Sequence, residues 1–61
     1  MKTIADLIGA LKTRQAEISQ SLAAGNAASW EAYQRMTGEH AGLEKALQFI
    51  YRLLRDEDEL D

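Results

Sequence analysis

The chain has 61 residues, no cysteine, one histidine and a formal net charge of −3. Sixty-one residues make at most one small domain, and a core of that size rarely supplies more than about 3–5 kcal/mol. A disulfide framework and a Cys/His zinc motif are both excluded, so association with another surface is the remaining common source of stability. The charge is unevenly spread. Asp56, Glu57, Asp58, Glu59 and Asp61 carry five of the ten acids, which leaves seven basic and five acidic residues, a net of +2, in the rest. That surplus is too small for a nucleic-acid surface. No apolar run approaches the roughly 20 residues of a membrane span, and the N-terminus lacks a signal peptide pattern.

In chain order, Thr3-Ile4-Ala5-Asp6 reads as a capping box, with the acid at the positive end of a helix dipole. Behind it Ile4, Ile8, Leu11, Gln15, Ile18 and Leu22 recur in steps of four and three, with Leu7 beside them. This is a heptad rhythm with one polar member, Gln15. It predicts a first helix over about residues 3–24. Gly25-Asn26 supplies a left-handed residue to end that helix and an N-cap for the next. The turn is therefore expected at 25–26, with a second helix over about 27–55. A connection so short makes the two helices antiparallel neighbours.

The second helix carries the stronger pattern. Tyr33, Met36, His40, Leu43, Leu47, Ile50 and Leu54 form a seam held over three heptads. Folding the hairpin back pairs Leu22 with Tyr33, Ile18 with Met36, Leu11 with Leu43, Ile8 with Leu47 and Ile4 with Ile50. Gln15 then meets His40, polar opposite polar. A layer of this kind lowers stability but fixes register, and we assign Gln15 and His40 that role. Arg52 and Arg55 suit the negative end of the helix. The acids of 56–61 do not, so this tail is expected to fray or to meet a basic surface.

A second stripe, Gly38, Gly42, Ala46, Phe49 and Leu53, lies elsewhere on the same helix. Each glycine costs roughly 1 kcal/mol against alanine inside a helix. Two of them one turn apart remove bulk, and Phe49 and Leu53 extend the stripe with apolar surface. We read it as an intermolecular contact. Trp30, near the hairpin tip, fits either an interface anchor or a cap over Leu22 and the turn.

Catalytic chemistry finds no footing. His40 and Glu44 are one turn apart but give only two metal ligands where a structural zinc takes four. Ser19, Ser21 and Ser29 have no base within reach. Glu39 points about 100° away from His40 around the helix and does not orient the ring. There is no phosphate-binding glycine loop, and two helices enclose no pocket. No enzyme activity, cofactor or metal is expected. The predicted fold is an all-α antiparallel two-helix hairpin, coiled-coil-like and oligomeric.

The string Gly25-Asn26, Trp30, Tyr33, Met36, Gly38-Glu39, Gly42-Leu43-Glu44 and Ala46-Leu47, followed by an acidic end, resembles small helical-hairpin proteins of tailed bacteriophages. The resemblance covers about the last two thirds of the chain. It implies a minor structural or assembly component, located in a phage virion or the host cytoplasm. The implied partner is the chain itself or a larger phage structural protein, with no nucleic acid and no membrane. It designates no catalytic residues. A small regulator that binds and inhibits a host or phage protein, with the acidic tail as nucleic-acid mimic, is the alternative.

Overall fold

A computed structural model describes residues 2–59. It is all-helical, with two helices packed against each other: α1, Ile4–Ala23, and α2, Trp30–Glu59. The start of α1 follows from its sequence. Asp6 N–H donates to Thr3 Oγ1 at 3.3 Å, and Thr3 N–H donates to the Asp6 carboxylate at 2.8 Å. Two of the N–H groups that a helix start leaves without partners are thereby satisfied.

At the other end of α1, Gly25 takes φ +75°. Asn26 N–H donates to Ser21 C=O at 3.0 Å, and Gly25 N–H donates to Leu22 C=O at 3.1 Å. This pair of crossed bonds is the Schellman arrangement, and its left-handed residue is one that a side chain would strain.

The connection is longer than the expected two-residue turn. Residues 24–29 lie between the helices, and Ser29, not Asn26, caps α2. Ser29 Oγ accepts from Ala32 N–H at 3.1 Å, and Ser29 C=O accepts from Tyr33 N–H at 3.0 Å. The Asn26 N–H closes the Schellman turn of α1, and the side chain that caps α2 is that of Ser29. Glu31 then falls in the first turn, where the dipole favours an acid.

The far end of α2 also departs from expectation. The helix does not stop near Arg55 but continues through the acids to Glu59. After Gly42 no glycine or proline interrupts it, and propensity carries the chain past an unfavourable dipole term. Leu60 and Asp61, the end of the expected acidic tail, lie outside the described residues.

The core is narrow. Ile18 and Leu47 are the fully buried apolar residues, at 2% and 3% exposure. Ile8, Leu11, Leu22, Met36, Leu43, Ile50 and Leu54 flank them, each half-buried. All nine belong to the two heptad seams. The outermost members of those seams do not close: Ile4 is 47% exposed and Tyr33 is 43% exposed. Ile4 and Tyr33 stand at the two ends of the packed region, where the neighbouring helix offers least cover. With 30 residues against 20, α2 overshoots its partner, which gives the rod its 49 Å long axis.

Candidate interaction surface

The middle layer of the hairpin brings Gln15 to the level of His40, though not to its ring. The Gln15 amide donates to the His40 backbone C=O at 3.5 Å and to the Glu44 carboxylate at 3.0 Å. The expected side-chain pair is therefore replaced by a Gln15–Glu44 bond. Glu44 becomes its partner because it stands one turn beyond His40. Both Gln15 and His40 are half-buried.

Beside this layer lies a contact that the seam pattern alone does not show. Arg14 grips Glu39 with two hydrogen bonds, Nε to Oε2 at 2.6 Å and Nη2 to Oε1 at 3.0 Å. A planar guanidinium and a carboxylate match in this two-pronged way. Arg14 also reaches Glu17 at 3.4 Å. The hydrogen bond from Arg14 is the main reason that the Glu39 carboxyl titrates below its ordinary range, and Glu39 raises Arg14 in return. Both side chains remain about half exposed, so water and salt screen the pair. Positions 14 and 39 each precede a member of the Gln15–His40 layer and carry opposite charge. That adjacency was the signal available in the sequence.

The other face of α2 has no cover in the hairpin. Gly38, Gly42, Phe49 and Leu53 are all exposed, and Ala46 is half-buried at the edge of the seam. Phe49 and Leu53 show 56% and 68% of their surface. A Cβ built on Gly38 or on Gly42 would meet nothing within 4 Å, so neither glycine serves packing inside the hairpin. The centre of this stripe stands about 120° around the helix from the inner seam. The cation of Arg52 lies over the Phe49 ring at 5.7 Å, a partial cover from the same helix.

Trp30 is 66% exposed and stacks on Tyr33, with ring centroids 5.4 Å apart and planes 18° from parallel. Tyr33, expected against Leu22, is 43% exposed and stacks on Trp30 at the tip. On the opposite flank of the seam Lys12 lies over the Tyr51 ring at 5.8 Å, a further contact between the helices.

Two surface depressions are open, and each sits on one helix or its start. One of about 380 Å³ is lined by Gln48, Tyr51, Arg52 and Arg55 of α2, and one of about 290 Å³ by Lys2, Thr3, Asp6, Leu7 and Ala10 at the start of α1. Among the described residues, no three of His, Cys, Asp and Glu gather as a metal would require. No described helix is long and apolar enough to cross a membrane.

These features define a helical hairpin with one covered and one uncovered face on its longer helix. In comparisons with protein-family models, with curated proteins and with solved structures, none matches the chain.

Proposed function

We propose that this protein is a non-enzymatic interaction module, a hairpin whose outer α2 face is buried in an assembly. The observation that carries this reading is the exposure of Phe49 and Leu53 beside Gly38 and Gly42 on one helix face. Apolar side chains in line on a small, rod-like chain mark a contact surface rather than scattered solvent-facing residues. Extent supports the same reading. The chain exposes 4876 Å², whereas a compact monomer of its mass exposes about 4000 Å².

Resemblance of the sequence to phage hairpin proteins supplies the context: a minor component of a tailed-phage particle or of its assembly, packing on itself or on a larger structural protein. Mass spectrometry of purified particles tests it. The chain should be present at many copies per particle, and Phe49→Ser with Leu53→Ser should remove it from particles while leaving it helical. Detection in infected cells only, never in particles, would replace this reading with that of a regulator.

A further inference from the structure

Resting on the reading of the outer α2 face as a contact surface, we infer that its occupant is a second copy of the chain, packed antiparallel through α2 about a two-fold axis between Lys45 and Ala46.

The small residues of the face, Gly38 and Gly42, are four apart, and so are its large ones, Phe49 and Leu53. An antiparallel copy that sets Phe49 over Gly42 therefore sets Leu53 over Gly38 in the same act. Two-fold symmetry repeats both contacts, since an isologous interface presents one patch to itself. A parallel copy sets each residue against itself. It puts Phe49 against Phe49 and leaves the space over both glycines unfilled.

Space and charge agree with this register. Nothing approaches within 4 Å of a Cβ at either glycine, so there is room above each for a side chain from outside. The same alignment carries Arg35 to Asp56 and Glu57 of the second copy, at both ends of the interface. Arg35, Asp56 and Glu57 are exposed, and none has a salt bridge within the hairpin among the described residues. Opposite charges at the ends fix orientation and register. Lys45 stands beside its own copy at the rim, where a long side chain keeps its ammonium in water.

Area is also of the right size. The hairpin shows roughly 900 Å² more than a compact monomer of its mass. A stable interface takes about 800 Å² from each partner.

Absence of cysteine makes the geometry testable by cross-linking full-length single-cysteine variants with a short bismaleimide. Lys45→Cys lies next to the axis and should cross-link efficiently to its own copy. Arg35→Cys alone should not, because the two copies of residue 35 lie about 31 Å apart along the helices. Mixing Arg35→Cys with Asp56→Cys should restore cross-linking. All three sites are exposed, and circular dichroism checks that each variant stays helical. Sedimentation equilibrium of the wild type should give twice the 6.8 kDa chain mass. Equal self-cross-linking at 35, 45 and 56 would mean a parallel pair and overturn the inference. A folded monomer would overturn it too. If that monomer were still found at many copies in particles, the contact-surface reading would stand with a larger protein as occupant.

Discussion

The two long faces of α2 use similar apolar residues in similar steps, yet only one is covered. On the inner face Leu47 is 3% exposed; on the outer face Leu53, less than two turns away, is 68% exposed. Intrinsic hydrophobicity does not separate them. The difference is that α1 offers a single seam, and a helix with one apolar stripe covers one stripe of its neighbour. The glycines sharpen the contrast. Met36, His40 and Leu43 fill the inner face at the level where Gly38 and Gly42 leave the outer face bare. One face is built to fill space and the other to leave it open.

That contrast can be broken most directly at the core. Leu47→Ala should remove about 2–5 kcal/mol, the usual range for a buried leucine. A core this small supplies little more than that, so the variant should be largely unfolded at 25 °C by circular dichroism. Phe49→Ala and Leu53→Ala should leave the helix content of a dilute sample unchanged, because neither side chain is buried in the hairpin. An equal loss from both faces would mean that the outer face is packed within one chain.

The next effect concerns the outer face alone. Gly42→Leu should reduce association by gel filtration far more than Ala16→Leu, which places the same side chain on the solvent side of α1. Gly42→Leu raises helix propensity and Ala16→Leu changes it little, so a loss of association at Gly42 reports on space. Identical elution of the two variants would show that the open space above the glycines is not used.

Smaller effects are expected from the polar contacts at the seam's edge. Arg14 holds the Glu39 carboxyl below its ordinary pKa in the folded chain. The pair therefore adds stability that is fully present above the unfolded value of about 4.3 and is lost as pH falls through the lowered one. Glu39→Gln should flatten that part of a melting temperature against pH profile, and salt should do the same to the wild type. An unchanged acid limb in Glu39→Gln would assign the pH dependence to other carboxylates.

The smallest effect is a coupling. Gln15 hydrogen-bonds Glu44 and the His40 backbone, so replacing Gln15 by Leu does not strand the imidazole. A double-mutant cycle between Gln15→Leu and His40→Leu should show little coupling, because the bond goes to the His40 backbone, which the substitution keeps. The cycle between Gln15→Leu and Glu44→Ala should show the coupling instead. A large Gln15–His40 term would restore the direct side-chain pairing expected from the seam.

The seam was readable because heptad spacing is a property of the helix itself. Thr3 and Asp6 were readable for the same reason, since a capping box is local. What escaped reading depended on competition or on distance. Asn26 and Ser29 are both good N-caps, and the sequence alone does not decide between them. Propensity and dipole oppose each other after Arg55, and the sequence does not weigh them. Arg14 and Glu39 are 25 residues apart, and their meeting depends on which flank of the seam each occupies. The outer stripe was legible as a set of residues, and the structure adds that Phe49, Leu53 and both glycines face open space.

The overhang of α2 has a consequence on a slower timescale. With 30 residues against 20, its last turns run past the start of α1. Amide protons near Ile18 and Leu47 open to solvent only when the whole hairpin unfolds. Those of the last turn, from Arg55 to Glu59, should exchange by fraying of the helix end, orders of magnitude sooner. Hydrogen exchange would thus divide α2 into a protected body and a fast terminal segment. Slowing of that segment with rising protein concentration would locate where a neighbour settles.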